Sequence, residues 1–335
     1  MIFKMFARFL FAVISLLAVS LAGCSRYPAA PLVFVTNERD GTISVIDSES
    51  DKVIDTIFCG ARPRGIRLSA DGKNAYVALS APANRQPKAE DNKIIVLDTS
   101  SGKITKTINV GTDPEQLAVN RDETLLYVSN EDAGTLTISD LKTGAPKATL
   151  IVGIEPEGVT LSPDGRWAYV TAETSNSISV IDTEKQRVAK TFLVGARPRD
   201  TAFSPDGARA YVSSEVGQTL SVIDTEKHEV VRTIPLGFSE NNKPVGVVVS
   251  PDGQRIYVAN GRGNSVSVID AQSFQFLTFI PAGERIWGIA LTPDGKKLYA
   301  AGGLSNDVTV IDTEKNRVIT KIKAGDGPWG IAARN

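Results

Sequence analysis

Histidine and cysteine are almost missing from this chain. One histidine, His228, and two cysteines, Cys24 and Cys59, occur in 335 residues. A Ser-His-Asp triad would rest on His228 alone. A zinc site of several His and Cys, a CxxCH haem attachment and a four-cysteine iron–sulfur cluster need residues the chain does not have. Neither sign of charge is in excess, with 37 basic against 38 acidic residues. The large basic excess of a nucleic-acid binder is therefore absent, and no nucleic-acid partner is expected. No stretch after residue 27 keeps a 3.6-residue apolar period over three turns, which argues against a helical bundle.

What is present begins with an address. Lys4 and Arg8 form a basic start, and Phe9 to Ala22 runs apolar, broken only by Ser15 and Ser20. Spanning a bilayer takes about 20 apolar residues, so this stretch is short for a membrane helix and suits a signal-peptide core. It ends in Leu21-Ala22-Gly23-Cys24, which resembles a bacterial lipobox. The expectation is a signal peptide over 1–23, lipid on the Cys24 thiol, a short tether over 24–31 and a mature protein anchored to a membrane in the bacterial cell envelope, on the periplasmic side. An ordinary signal peptide cut after a small residue is the alternative. Cys59 stands where other repeats carry Val110, Val152, Val194 or Leu236, so it reads as a small buried hydrophobe.

The rest of the chain is periodic. An apolar alternating run ends in Asp at 47, 98, 140, 182, 224, 270 and 312, a spacing near 42 residues. An aromatic residue precedes six of these by 13: Phe34, Tyr127, Tyr169, Tyr211, Tyr257 and Tyr299. In the second repeat a 9-residue insertion separates Tyr76 from Asp98. Each period holds four short strands. In one, Val159-Thr160-Leu161, a Ser162-Pro163-Asp164-Gly165 turn, Trp167 to Thr171, Ile178 to Ile181 and Val188 to Val194 follow in order. Seven such units predict an all-β fold, a seven-bladed β-propeller over residues 32–335. Leu32 to Val35 is a second strand without a first, and Gly330 to Arg334 is a first strand without a second. The C-terminal strand is therefore expected to complete the N-terminal blade and close the ring.

Phe34-Val-Thr-Asn37, Tyr127-Val-Ser-Asn130 and Tyr169-Val-Thr-Ala172 resemble the YVTN repeat of bacterial propellers. The loops Arg62-Pro-Arg-Gly65, Asp113-Pro-Glu-Gln116, Glu155-Pro-Glu-Gly158 and Arg197-Pro-Arg-Asp200, with Ser305 to Asp312, are similar to the PQQ-dependent catabolism-associated β-propeller proteins. The resemblance implies an exported propeller made alongside quinoprotein alcohol oxidation. It carries fold strongly and activity weakly. The eight-bladed quinoprotein dehydrogenases, with a repeated Trp docking motif and often a vicinal Cys pair, are not matched.

Both length irregularities, within Leu79–Asn92 and Phe238–Lys243, fall on the face bearing the strand 2–3 loops and the blade connectors, here called the top. On that face one connector column reads Arg64, Glu115, Glu157, Arg199, Val245, Trp287 and Trp329. A second reads Glu38, Ser80, Glu131, Glu173, Glu215, Gly261 and Gly303. Gln116 and Asp200 replace glycine, and Arg67 replaces a small residue, so these three are expected at the channel mouth. The columns predict a top-face site for a small molecule or an envelope protein, with Arg64, Arg67, Glu115, Glu157, Arg199, Asp200, Trp287, Trp329, Glu131, Glu173 and Glu215 lining it. The plain alternative is a rim of exposed Arg–Glu pairs, each worth about 0–1 kcal/mol. His228 is expected in a solvated bottom turn. No catalytic residue, metal or cofactor is assigned, and a binding or scaffold role is the leading expectation. The other is a lactonase, since related propellers hydrolyse lactones, using a divalent cation on Glu38, Glu131, Glu173 and Glu215 with Asn130.

Replacing Cys24 with Ser tests the address. The variant is expected to leave the membrane fraction of envelope extracts, because multiple acyl chains are what give firm anchoring. Equal membrane retention with unchanged processing would refute the lipobox reading.

Overall fold

A computed structural model describes residues 26, 27, 30–82, 86, 88–237 and 241–334. The expected lipidation site, Cys24, and the signal segment lie outside the described residues. Among the described residues the chain forms seven sheets of four antiparallel strands, and the helical content is a 3-10 turn at Ala89–Asp91. The propeller expected from the period is the fold.

In the fourth blade the strands are Pro156–Leu161, Trp167–Ala172, Ser177–Asp182 and Arg187–Leu193, from the axis outward. The first strand starts three residues earlier than expected because Pro156 pairs with Ala172 while Val159 pairs with Val170. Two residues, Glu157 and Gly158, therefore oppose Thr171 alone. This β-bulge turns the connector column toward the axis, as bulges beside functional sites do. It recurs at Pro63/Ile66, Pro114/Leu117, Pro198/Thr201 and Ile286/Ile289.

Apolar side chains of the middle strands pack blade on blade. Tyr127, Leu136 and Ile138 of one blade join Val159, Val170 and Ile181 of the next in one cluster. The outer strand alternates between exposed and half-buried residues, because only one of its faces meets protein. Cys59 is buried, with Sγ 3.3 Å from the Gly41 carbonyl oxygen. Burial pushes its thiol up to about 12, so it is an inert core residue, as expected.

The repeated Asp has a clear job. It closes strand 3, and its Oδ1 accepts backbone N–H bonds from the turn: Glu49 and Ser50 to Asp47, Ser100 and Ser101 to Asp98, Lys185 to Asp182. Four residues after each Asp the chain takes a left-handed φ, at Asp51, Gly102, Gly144, Gln186, His228, Phe274 and Asn316. His228 is not solvated. It is 8% exposed, its Nδ1 lies 2.7 Å from the Tyr169 hydroxyl, and its ring stands edge-on to Trp167 at 4.6 Å. Asp51 occupies the same place and accepts from Tyr299 Oη at 2.7 Å. The column is a joint between neighbouring blades.

The strand Pro328–Arg334 pairs with Leu32–Asn37, from Leu32 opposite Arg334 to Asn37 opposite Pro328. The ring closes as expected. Truncation after Asp326 removes this strand and Trp329, an aromatic that buries roughly 150–250 Å². Loss of the cooperative transition, or a fall in Tm of well over a few degrees, is expected in calorimetry. A truncated chain melting within about two degrees of the parent would show that closure contributes little.

Candidate functional site

The first strands of the seven blades run side by side around the axis, and the bulges present their second residues at its top. A column of hydroxyls holds them there. Thr36 Oγ1 donates to the Arg64 carbonyl at 2.7 Å, and Thr171 Oγ1 to that of Arg199 at 3.0 Å. Ser129 Oγ donates likewise to Glu157, and Ser213 Oγ to Val245. Each hydroxyl also accepts from its own first strand, as Thr36 does from Gly330 N and Thr171 from Gly158 N, both at 2.8 Å. The neighbouring glycines have no room for a side chain. A Cβ on Gly330 would lie 2.3 Å from Arg64 O, and one on Gly158 2.6 Å from Arg199 O.

Two guanidiniums organise the rim. Arg64 Nε is 3.1 Å from Glu38, and its Nη1 contacts Glu115 and lies 3.9 Å from Glu131. Arg199 Nη2 is 3.0 Å from Glu157, while its Nη1 contacts Glu173 and lies 3.7 Å from Glu215. Trp287 and Trp329 stack at 6.1 Å with 27° between planes. Arg64 lies over Trp329 at 5.9 Å and Arg199 over Trp287 at 5.5 Å. The charged and aromatic arcs thus form one continuous assembly, containing nine of the eleven expected residues.

Arg67 and Asp200, the other two, line an axial cavity of about 40 Å³ just below, with Gln116, Glu157, Arg199, Trp287 and Trp329. Asp200 accepts from Thr201 N at 2.8 Å and from Val247 N at 3.2 Å, where the first strand of its blade is only Val247–Val249. Beside the rim, Glu38, Arg39, Phe58, Arg62 and Pro82 line a larger cavity of about 500 Å³.

The exposed ion pairs considered above are not what forms. Glu115, Glu157, Glu173 and Arg199 are buried. For Glu115, Glu157 and Arg199 the reason is the bulge, which turns them inward among seven crowded strands, while Glu173 is enclosed by Arg197 and Arg199. Burial raises the Glu157 carboxyl, against the opposing pull of Arg199 and Arg64. It also raises Glu131 and Asp200, the latter opposed first by Arg67.

The columns missed Arg62, Asp113, Arg197 and Arg285. Arg197 Nε is 2.6 Å from Glu173 and Arg62 is 3.4 Å from Asp113, while Arg285 lies over Trp287 at 4.5 Å. Together with Glu155 these residues take φ between 43° and 57°, a region costly for side-chain-bearing residues. Their charge one residue before the connector proline, or before Ile286, was the available signal.

The cation set considered for a lactonase does not assemble. Glu38 belongs to the Arg64 group and Glu173 and Glu215 to the Arg199 group. The Asn130 amide donates to Thr137 Oγ1 at 2.9 Å. Asp113, Glu115 and Glu131 do bring oxygens within 4.8 Å of one another. However, Arg62 and Arg64 already supply positive charge to them. A divalent cation does not fit there.

A model described as choice-of-anchor I domain matches residues 16–197, more than half of the chain. The chain belongs to that family. A model described as lactonase, 7-bladed beta-propeller, matches residues 184–325 of this choice-of-anchor I protein. An uncharacterized protein, YncE of Salmonella typhi, is 34% identical over 62 residues, and that match covers 18% of each chain. Among solved structures, a candidate 6-phosphogluconolactonase of Bacteroides uniformis superposes with a TM-score of 0.77 at 17% identity, covering 91% of this chain and 99% of that one. Kuenenia stuttgartiensis hydrazine synthase gives 0.74 at 22% identity, covering 84% and 92%. At such identities these likenesses speak for the fold.

Arg199→Ala would leave Glu157 buried without its ion-pair partner and Glu173 with Arg197 alone. A loss of about 3–5 kcal/mol is expected in chemical denaturation, against less than about 0.5 kcal/mol for the exposed control Lys323→Ala. A loss under about 1 kcal/mol would return the pair to the class of solvated surface bridges.

Proposed function

We propose that the protein is a lactonase-like hydrolase of the cell envelope, opening a cyclic ester at the top of the propeller without a metal ion. One observation carries the reading: Glu157 is a buried carboxyl with a raised pKa, held 3.0 Å from Arg199 at the axial cavity. Such a carboxylate is a stronger base than one in water, and the guanidinium beside it is placed to meet developing negative charge. Glu157 takes a proton from water as the water oxygen bonds to the ester carbonyl carbon. Negative charge on the carbonyl oxygen faces Arg199. Collapse breaks the bond from that carbon to the ring oxygen, and the Glu157 acid returns its proton to the leaving alkoxide. The product is a hydroxy acid. The 500 Å³ cavity shares Glu38 and Arg62 with the rim and has the size for the body of such a substrate. The lactonase model over 184–325 and the lactonase-like neighbours support the same reading.

A second reading has its own support. Every rim carboxylate named above has a guanidinium partner, as suits a binding or scaffold propeller, and the connector series resembles proteins of PQQ-dependent alcohol catabolism. In either case lipid at Cys24 would set the orientation. Tyr27 is buried with its hydroxyl 2.6 Å from Asp55, and Arg26 donates its backbone N–H to Ser100 O in a bottom turn. Only Ser25 separates that clamp from Cys24. The bottom of the first two blades would face the membrane and the rim would face away.

The test is acid release from a panel of γ- and δ-lactones by the full protein in detergent. Hydrolysis is expected to survive EDTA and to rise with pH through a value above the ordinary carboxylate range, because Glu157 must be ionised to act. Glu157→Gln is expected to lower kcat by about 100-fold or more. No turnover above the spontaneous rate would favour the binding reading, and loss of activity in EDTA would refute the metal-free chemistry.

A further inference from the structure

We propose that the axial cavity is a receptor for a carboxylate group, with Arg67 as its cationic partner. Unlike Arg64 and Arg199, Arg67 forms no ion pair among the described residues. Its bond is Nη1 to the Ile66 carbonyl at 3.0 Å. Two further polar atoms, on residues that line the cavity, lack hydrogen-bond partners among the described residues: Gln116 Oε1 and Nε of Arg199. Arg199 is more than nine-tenths buried. Buried polar atoms are nearly always satisfied, so unpartnered ones on the residues lining a cavity point to an occupant.

Size and charge select the occupant. About 40 Å³ holds roughly three waters by the same measure, or one small oxyacid group. A planar carboxylate matches this space and can take two parallel bonds from a guanidinium fork. A tetrahedral phosphate lacks the flat edge that such a fork matches. Arg67 favours the charge on Asp200 but does not bond to it: the Asp200 oxygens accept from Thr201 N and Val247 N, and burial disfavours its charged form. The Arg199 Nε–H offers a second donor to the bound group, and a hydroxyl beside the carboxylate would donate to Gln116 Oε1.

This inference rests on the hydrolase reading for its source of ligand. Opening a lactone creates a hydroxy acid, and the cavity lies under the rim where that acid appears. Arg67 then acts as a product receptor, and the released acid competes with substrate. The carboxylate site itself does not require turnover.

The experiment titrates the full protein in detergent with acetate, glycolate and D-gluconate, following the fluorescence of Trp287 and Trp329. Chloride at equal ionic strength and glycerol are the controls. Saturable quenching by the acids alone is expected, at least tenfold weaker in Arg67→Met and unchanged in the exposed control Arg121→Met. Should Arg67→Met fail to fold, Arg67→Lys keeps the charge without the fork and is expected to bind with intermediate affinity. Equal binding by parent and Arg67 variants, binding by neither, or quenching by chloride alone would overturn the proposal. Acid binding without lactone turnover would refute the hydrolase reading and leave the receptor standing. Turnover without competition by the acids would do the reverse.

Discussion

The stitch between neighbouring first strands is the contact on which the rim depends. A hydroxyl two residues after the repeat aromatic accepts from its own blade and donates to the next, as Thr171 does between Gly158 N and Arg199 O. That bond spans the joint at the axis, where no β-ladder links one sheet to another. It also grips the carbonyl of the very residue whose side chain forms the rim. Tightness follows, since a Cβ on Gly158 would collide with Arg199 O. Tightness in turn buries Glu115, Glu157, Glu173 and Arg199. A looser ring would leave them as ordinary solvated ion pairs.

Burial changes what those charges can do. In water an Arg–Glu pair contributes little and a carboxylate holds no proton at neutral pH. Inside the ring, desolvation disfavours the charged form of Glu157, and Arg199 and Arg64 only partly offset it. The guanidiniums also stand among the oxygens that a divalent cation would need, at Asp113, Glu115 and Glu131. Replacing a cation with fixed guanidiniums removes a Lewis acid and leaves oriented N–H donors. On the proposed hydrolase reading, catalysis in such a site comes from charge stabilisation and proton transfer.

Much of this was readable in the chain because repetition exposes whatever is shared. The 42-residue period, the strand-ending Asp and the aromatic 13 residues earlier each mark one contact made in most blades. Columns that depart from the repeat, such as Arg64 to Trp329, marked the rim. What stayed hidden depends on backbone geometry. Nothing in the residue types of Pro156 to Val159 announces a bulge, and without it the rim charges read as exposed. His228 read as solvated because its partner, Tyr169, comes from another blade. Arg197 and Arg62 were passed over because their position looked like loop, whereas φ there is positive and directs each side chain toward its acids.

The charge count of the rim gives the last step. Glu38, Asp113, Glu115, Glu131, Glu157, Glu173 and Glu215 meet four partners, Arg62, Arg64, Arg197 and Arg199. Seven ionised carboxylates in a poorly solvated ring would repel one another, and the four guanidiniums paired with them offset that repulsion only in part. Burial raises the Glu131 and Glu157 carboxyls, so these two bind a proton more readily than a carboxyl in water does. A shared proton among coupled acids belongs to the network rather than to one residue. On the proposed hydrolase reading, an excess of acid over base beside fixed guanidiniums supplies a carboxyl able to take the proton of the attacking water and to return it to the leaving alkoxide.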